Sequence, residues 1–476
     1  MDLCDISRRC LATAIVLAAT TLVSAADAPR PNIVLVIVDD LRWDDIGCAG
    51  HPFSQTPHID QLAKEGARFT DAFITTPLCS PSRASILTGQ YAHAHGIVDN
   101  TDRSPASHLL KTFPQELQNS GYETAFLGKW HMGNDNTRRP GFDRWYCLAG
   151  QGTSFDSVVN DNGKTVQTRG YVTDVLNAES VAFLKSRHDK PFLLYLSHKA
   201  IHPETAQAAD GKLSDPTASN FIPAPRHRDL FASAPIPRRP NWGVPPTDKP
   251  ALMQSIAGLP PLGPETGSSD TSILNRLRML VAVDEGVGLI REALAEVGQL
   301  DNTLIAVIGD HGYFYGEHGL SVERRLAYEE SIRIPMVMRL PKVVPAGSTP
   351  SATVLAIDLA PTFVELAGSR PPARYQGRSL VPVMKGATPS DWRNSFLIEY
   401  YSDTVFPRMN KTGYRAVRMG DWKYIRYIDQ KGMDELYDLR SDPYELKNRI
   451  NDSSATAMLE SLQAELGRIW SATGGG

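Results

Sequence analysis

Cysteine is scarce in this sequence, which limits the cross-links that the fold can contain. Five of the 476 residues are cysteines, and Cys48, Cys79 and Cys147 are the ones that follow residue 26. These three are an odd number, which leaves at least one thiol without a partner, so a free, reactive thiol is expected. Cys48 and Cys147 could pair with each other or could both stay reduced, and the sequence leaves both possibilities open.

Long hydrophobic runs are also scarce. The run from Leu11 to Val23 follows Arg8 and Arg9 and precedes the small residues Ser24-Ala25-Ala26. It is too short to cross a bilayer comfortably, and its flanks are those of a signal peptide. We therefore expect residues 1–26 to be a cleaved signal peptide. The mature protein should be secreted or periplasmic, with no membrane span.

A strong excess of one charge is missing as well. The formal net charge is -4, from 49 basic and 53 acidic residues. This balance gives no basic footprint for nucleic acid, so a nucleic-acid partner is not expected. The length exceeds one typical domain, and we expect one large domain with a smaller one beside it.

Several apolar runs are typical of strands buried in a parallel sheet: Asn32–Val38, Tyr122–Leu127, Pro191–Leu196 and Thr303–Gly309. Each run is followed closely by residues that can carry chemistry: Asp39 and Asp40, Lys129 and His131, His198, and Asp310 with His311. In open α/β sheets, ligands bind beyond the carboxyl ends of the strands, so these side chains should share one rim. Two adjacent carboxylates at such a rim could hold a hard cation or could simply belong to a loop. The pattern predicts an α/β fold with a large, mostly parallel sheet flanked by helices.

The remaining segments predict how the chain is divided. Residues 109–120 should form one helix, and residues 204–271, which are rich in Pro, Ala and Ser, should be an irregular excursion over the pocket. After residue 380, short strands separated by polar turns and one last helix predict a smaller antiparallel α+β subdomain. We therefore expect a catalytic domain over residues 27–380 and a C-terminal subdomain over residues 381–476.

Cys79 lies where a polar turn on Pro81 gives way to a helix. Backbone N–H groups at a helix start lower the pKa of a thiol and favour an anionic ligand. Arg83 follows one helical turn later and can lean back over Cys79 as a fixed cation. A buried cysteine with an unrelated arginine would be the ordinary interpretation of such a pair.

The string Cys79-x-Pro81-x-Arg83, followed by Ala84-Ser85-x-Leu87-Thr88-Gly89, resembles the signature of the type I sulfatases. Gly128-Lys129-Trp130-His131-x-Gly133 is similar to the second signature of that family, and the resemblance covers nearly the whole mature chain. It implies an alkaline phosphatase-like fold and a sulfuric ester hydrolase. It also implies that a formylglycine-generating enzyme converts Cys79 to formylglycine during maturation.

The resemblance further implies roles for the site residues. One divalent cation, Ca²⁺ with Mg²⁺ as the alternative, would be held by Asp39, Asp40, Asp310, His311 and the modified Cys79. His198 would protonate the leaving alcohol and His131 would act on the formylglycine hydrate. Lys129 and Arg83 would neutralise charge. Arg324 stands where the family usually has a second, sulfate-contacting lysine, and it is the candidate for that contact.

The implied substrate is a sulfated saccharide, either a glycosaminoglycan or another polysaccharide fragment. Ser197-His198-Lys199-Ala200-x-His202 and Glu399-Tyr400-Tyr401 resemble sulfatases that act on glucosamine 6-O-sulfate. One alternative is a phosphodiesterase or phosphonate monoester hydrolase of the same superfamily. Another is an inactive carbohydrate-binding homologue, which predicts the loss of several site residues, whereas the lysine position is the one that differs.

Overall fold

The computed structural model describes residues 30–213, 220–402 and 405–475. The expected signal peptide, residues 1–26, lies outside this part of the chain. Within the described residues, no helix is both long enough and apolar enough to cross a bilayer.

The strands are β1 (Asn32–Val38), β2 (Ala67–Arg68), β3 (Ala72–Phe73), β4 (Glu123–Gly128), β5 (Arg144–Leu148), β6 (Val158–Asp161), β7 (Lys164–Gln167), β8 (Phe192–Ser197), β9 (Thr303–Gly309), β10 (Met336–Arg339), β11 (Val354–Leu355), β12 (Ser395–Tyr400), β13 (Tyr414–Met419), β14 (Trp422–Tyr427) and β15 (Glu435–Asp438). The α-helices are α1 (Pro57–Glu65), α2 (Cys79–Thr88), α3 (Ala92–His95), α4 (Ser104–Leu109), α5 (Phe113–Asn119), α6 (Val172–Lys185), α7 (Asp270–Glu296), α8 (Glu329–Ile332), α9 (Leu359–Leu366), α10 (Val381–Met384) and α11 (Thr456–Ala472).

One large sheet organises the described part of the chain, with the strand order β2-β10-β9-β1-β8-β4-β5-β6-β7. The five central strands, from β9 to β5, are parallel, whereas β10, β2, β6 and β7 join the edges in antiparallel pairings. The predicted α/β class with a large flanked sheet is confirmed. The sheet is mixed overall, since its parallel strands occupy the centre.

The register of the central strands aligns their carboxyl ends. Val38 of β1 lies opposite Gly309 of β9, and Ile37 lies opposite Ser197 of β8. Gly128 of β4 lies opposite Ser197 on the other side of β8. The residues that follow β1, β4, β8 and β9 therefore emerge at one rim, as the sequence predicted.

Both faces of the sheet are covered, which explains why β1 is apolar from Ile33 to Val38. Ile33, Leu35 and Ile37 belong to the hydrophobic core on one face of the sheet. Val34, Val36 and Val38 belong to the core on the other face, together with residues of α1, α6 and α7. Successive side chains of a strand point to opposite faces, so a strand covered on both sides has no polar face.

A smaller antiparallel sheet, β12-β13-β14-β15, follows toward the C-terminus, and α11 packs on it. This arrangement confirms the predicted antiparallel C-terminal part. The single helix predicted over residues 109–120 is wrong, because the structure has α4 and α5 instead. Pro114 is tolerated only in the first turn of a helix, so α5 begins at Phe113. Gln115 Oε1 then accepts a hydrogen bond from Thr112 N at 3.1 Å.

Candidate active site

The carboxyl ends of β1 and β9 bring acidic residues to the start of α2. Asp39 and Asp40 follow β1, and Asp310 follows β9; all three side chains are fully buried. Cys79 is the first residue of α2. Its Sγ lies 3.7 Å from Asp39 Oδ1 and 3.2 Å from His311 Nε2. The thiol therefore lies directly beside the predicted metal ligands.

The side chains of Asp39, Asp40, Cys79 and His311 form a possible metal centre. Each offers one ligand atom, and these atoms all lie within 4.8 Å of one another. Asp40 Oδ1 lies 2.6 Å from Arg324 Nε, but Asp40 Oδ2 is buried and has no hydrogen-bond partner among the described residues. A buried, charged oxygen without a partner is unfavourable, so this group fits a bound cation. Two carboxylates favour a hard cation such as Ca²⁺ or Mg²⁺.

Asp310, also predicted as a ligand, borders this group. Its Oδ1 accepts hydrogen bonds from Asp40 N at 2.9 Å and from His311 N at 3.0 Å. Its Oδ2 lies 2.9 Å from Arg83 Nη2. Burial and the charge of Asp39 raise the pKa of Asp310 to about 7. A ligand role for Asp310 therefore requires its carboxylate to exchange the ion pair with Arg83 for the metal.

Three buried cations surround the acidic group. Lys129 Nζ contacts Asp39 Oδ2, Arg83 Nη2 lies 3.5 Å from the same oxygen, and Arg324 Nε lies 2.6 Å from Asp40 Oδ1. Burial alone would raise the pKa of Asp39, but Lys129 and Arg83 outweigh it and hold that pKa well below its usual value. Arg83 is also fixed by Lys129 O, which accepts from its Nη1 at 3.0 Å. The structure thus brings Arg83, Lys129 and Arg324 together around the acidic group.

The same charged groups determine the pKa of the Cys79 thiol. Burial and Asp39 raise its pKa, whereas Lys129 and His311 lower it, and the balance lies below the usual value. The opposite holds for Cys147, whose pKa burial raises to about 12. Cys48, Cys79 and Cys147 are all free thiols in the structure. Of the three cysteines in the described part of the chain, Cys79 is therefore the one whose surroundings favour the thiolate most.

His131 is held in one tautomer by Gln207. Gln207 Nε2 donates to Gly211 O at 2.7 Å, which turns its amide oxygen toward His131. That oxygen lies 2.6 Å from His131 Nε2, so Nε2 carries the proton. His131 Nδ1 is buried and has no hydrogen-bond partner in the described part of the chain. Burial, together with Lys129, holds the pKa of His131 well below its usual value. A neutral ring with a bare Nδ1 can accept a proton.

His198 lies apart from the other predicted residues. Ser197, its neighbour, accepts a hydrogen bond from Arg83, and successive residues of a strand point to opposite faces. Neither ring nitrogen of His198 has a hydrogen-bond partner among the described residues. Burial lowers its pKa to about 3, and the charge that opposes this effect is Asp174 of α6. The charge that acts on the His198 ring is therefore that of Asp174, and not those of Asp39 or Lys129 at the rim.

His202, which the sequence interpretation gave no role, lies at the rim instead. Its Nδ1 donates to Pro203 O at 2.9 Å, which leaves Nε2 unprotonated in the neutral ring. Burial lowers its pKa, and Lys129, Asp39 and Arg324 are all close enough to act on it. The signal in the sequence is the second histidine of the string His198-Lys199-Ala200-Ile201-His202.

Arg276 of α7 is a further residue that the sequence did not indicate. Its Nη2 donates to Asp40 O at 2.6 Å, and its guanidinium lies 4.0 Å from the centre of the Tyr313 ring. It therefore positions the backbone of a candidate ligand. A lone arginine in a long helix gives no local pattern that could have predicted this contact.

Two protein-family models and several known proteins match this chain. Residues 31–369 match the sulfatase family model, and residues 316–471 match the model of the N-sulphoglucosamine sulphohydrolase C-terminal region. The N-acetylglucosamine-6-O-sulfatase of Bacteroides thetaiotaomicron is 32% identical, over 91% of this chain and 86% of that protein. The N-acetylglucosamine-6-sulfatase of Homo sapiens is 29% identical, over 89% of this chain and 82% of that protein.

Solved structures agree with these matches. BT4656 in complex with its substrate D-glucosamine-2-N,6-O-disulfate superposes with a TM-score of 0.78 at 29% identity, covering 93% of this chain and 98% of that one. The phosphonate monoester hydrolase of Agrobacterium radiobacter superposes with a TM-score of 0.75 at 22% identity, over 93% of this chain and 96% of that one. At that identity the second likeness shows a shared fold alone.

Proposed function

Because this chain belongs to the type I sulfatase family of the alkaline phosphatase superfamily and is a sulfatase, we propose that it releases sulfate from 6-O-sulfated glucosamine units of saccharides. The 6-O-sulfatase names of its relatives, and the substrate bound to BT4656, support this choice. The observation that carries the proposed sulfatase chemistry is the position of Cys79 Sγ, 3.2 Å from His311 Nε2 and 3.7 Å from Asp39 Oδ1.

Formylglycine derived from Cys79 is the proposed nucleophile. Its hydrate supplies two hydroxyl groups on one carbon. One hydroxyl attacks sulfur, and the S–O bond to the sugar breaks. Deprotonation of the other then restores the aldehyde, and inorganic sulfate leaves. A serine at position 79 could make only the first step, because the carbon of its sulfate ester carries no second hydroxyl group whose deprotonation could expel sulfate.

Asp39, Asp40, His311 and residue 79 would hold the divalent cation, for which we propose Ca²⁺ with Mg²⁺ as the alternative. Asp310 would be a further ligand of this cation, provided that its carboxylate exchanges its ion pair with Arg83 for the metal. When bound, the ion supplies Lewis-acid polarisation of a sulfate oxygen.

Two histidines move protons in this scheme. His131 accepts the proton of the hydrate at Nδ1, because Gln207 keeps the other ring nitrogen protonated. We assign protonation of the leaving alcohol to His202 rather than to His198, since His202 is the one beside Lys129 and Asp39. An anionic sulfate nearby favours the charged imidazole that this step needs.

The buried cations bind the sulfate group. Lys129, Arg83 and Arg324 place three positive charges around the point where negative charge develops. Fixed donors in a site without water stabilise such charge effectively. Arg324 takes the place of the second, sulfate-contacting lysine that the family usually has, and it can donate two N–H hydrogen bonds to one oxyanion.

Export belongs to the same proposal. Residues 1–26 would direct the chain out of the cytoplasm as a signal peptide, and a formylglycine-generating enzyme would modify Cys79 during maturation. A secreted or periplasmic location would place the enzyme where extracellular glycosaminoglycans are available as substrates.

The test is a comparison of esters on one purified, mature preparation. We expect release of inorganic sulfate from N-acetylglucosamine 6-O-sulfate, with a kcat/KM well above that for an aryl phosphodiester. A preference for the phosphodiester would favour the phosphodiesterase alternative. Binding of the sugar without turnover, by a preparation that contains formylglycine, would favour the inactive homologue.

A further inference from the structure

A pocket of about 540 Å³ adjoins the active site on the side of His131. Asn134, the loop of residues 149–153 with Asp156 and Val158, and residues 204–207 line it; we call it the glutamine pocket after Gln151 and Gln207. Gln207 belongs to both places, because it lines the pocket and accepts the hydrogen bond from His131 Nε2 at 2.6 Å. A saccharide whose ester lies beside His131 therefore has this pocket next to it.

The amide groups of the pocket leave one hydrogen-bond acceptor without a partner. Gln151 Nε2 donates to Gln207 Oε1 at 3.0 Å, which orients the Gln151 amide. Gln151 is 5% exposed, and its Oε1 has no hydrogen-bond partner among the described residues. A buried acceptor without a donor is unfavourable. The pocket wall therefore suits a ligand with an O–H or N–H group.

The glutamine pocket is acidic, whereas the residues proposed to bind the sulfate group, Arg83, Lys129 and Arg324, are basic. Its described lining contains two carboxylates, Asp156 and Glu204, and neither lysine nor arginine. Glu204 Oε2 accepts a hydrogen bond from Ser154 N at 2.8 Å, and the nearest cation, Lys199 Nζ, lies 3.7 Å from that oxygen. Lys199 is already engaged by Glu204 and by Pro203 O, so a second anionic group of a ligand would find no free ion-pair partner in the described lining, and Asp156 would repel it.

We propose that the glutamine pocket binds the uncharged part of the sugar that carries the scissile sulfate, and that it selects against a second anionic substituent. Gln151 Oε1 accepts a hydrogen bond from a hydroxyl or an acetamido N–H of that sugar. This inference rests on the proposed function and adds a specificity to it. N-acetylglucosamine 6-O-sulfate should be preferred over glucosamine-2-N,6-O-disulfate, the substrate in the BT4656 complex.

A pair of matched variants tests the charge argument. Val158 lines the pocket at 39% exposure, and Val166, at 37% exposure on the neighbouring strand β7, does not. V158R adds a cation at the pocket, whereas V166R adds the same charge outside it. Both positions are at the surface of an edge hairpin, so both variants should fold. Sulfate release from the mono- and disulfated sugars is measured for each mature enzyme.

The wild-type kcat/KM should favour the monosulfated sugar by about tenfold or more. V158R should narrow this ratio by about three- to fivefold, and V166R should leave it unchanged. Equal efficiency on the two sugars, or the same ratio in both variants, overturns the pocket proposal alone. Absence of sulfate release from either sugar overturns the proposed function and this inference with it.

Discussion

His198 and His202 lie four residues apart in one segment, but the fold gives them different surroundings. His198 directly follows β8, and the charge that acts on its ring is that of Asp174 in α6. His202 follows after the chain has turned, and its ring lies near Lys129 and Asp39. The residue that protonates the leaving alcohol must be within reach of the ester oxygen. We propose that His202, whose ring is close enough to Lys129 and Asp39 to be affected by their charges, meets this condition.

Substitution of each histidine by alanine separates the two assignments. H202A should lower kcat for a sugar sulfate by on the order of 10²–10⁴-fold, the usual contribution of a general acid. The loss should be much smaller for nitrophenyl sulfate, because nitrophenolate leaves without a proton. H198A should change either rate by less than about threefold, since the charges of Asp39 and Lys129 at the rim do not act on the His198 ring. Steady-state kinetics on both esters measures this.

The contrary pattern would be a large, leaving-group-dependent loss in H198A with little effect in H202A. Equal losses on both esters in H202A would indicate a structural role. Thermal unfolding of each variant checks that the fold is retained.

At the scale of elements, α7 is tied to the first turn of α1 through one buried carboxylate. Asp284 of α7 accepts hydrogen bonds from His58 N at 3.1 Å and from Ile59 N at 2.8 Å. Burial raises the pKa of Asp284 to about 7, although these two amide groups act in the other direction. The tie between the two helices should therefore make stability depend on pH.

The sign of this dependence follows from linkage. Between about pH 4 and about pH 7 the folded state keeps a proton on Asp284 that the unfolded chain has lost, so stability falls as pH rises through this window. From about pH 5 to about pH 8, the free energy of unfolding should fall by about 2 kcal/mol more in the wild type than in D284N. Denaturant unfolding at both pH values measures the difference.

The matched control is D270N, at an exposed aspartate at the start of the same helix. It should follow the wild type across the same pH range. A pH dependence in D284N equal to that of the wild type would mean that Asp284 does not titrate in this window.

The elements that could be predicted are those whose sequence pattern is local. The buried central strands are continuous apolar runs, and the residues at their ends followed from the parallel arrangement. The edge hairpin β6–β7 could not be predicted, because β7 is exposed along its length and has no apolar face. The break between α4 and α5 was missed because the periodicity continues across it, and Pro114 decided the boundary.

The site was predictable to the extent that strand ends define it. Asp39, Asp40, Lys129, His131 and His311 follow strands directly, and the structure brings them together. His202 and Gln207 lie in the segment after β8, and Arg276 lies in α7. Apart from the second histidine of the His198–His202 string, no local pattern indicates these residues, so their contacts at the site appear only in the tertiary structure. The Asp310 carboxylate could bind the metal or pair with Arg83, and the sequence alone could not distinguish these two roles.

At the scale of the whole molecule, the C-terminal sheet docks on the catalytic part through buried polar contacts. Glu435 of β15 accepts hydrogen bonds from the hydroxyls of Tyr328 at 2.7 Å, Tyr427 at 3.1 Å and Tyr437 at 2.6 Å. Tyr328 directly precedes α8, so one carboxylate joins both parts. We propose residue 380 as the boundary between them.

The account as a whole depends on the chemical state of residue 79 in the active enzyme. Tryptic cleavage after Arg68 and Arg83 isolates residues 69–83, a peptide that contains Cys79 and no other cysteine. Mass spectrometry of this peptide, from a preparation that releases sulfate, should show the aldehyde of formylglycine at position 79. Full sulfatase activity in a preparation whose residue 79 is an unmodified thiol would contradict the mechanism.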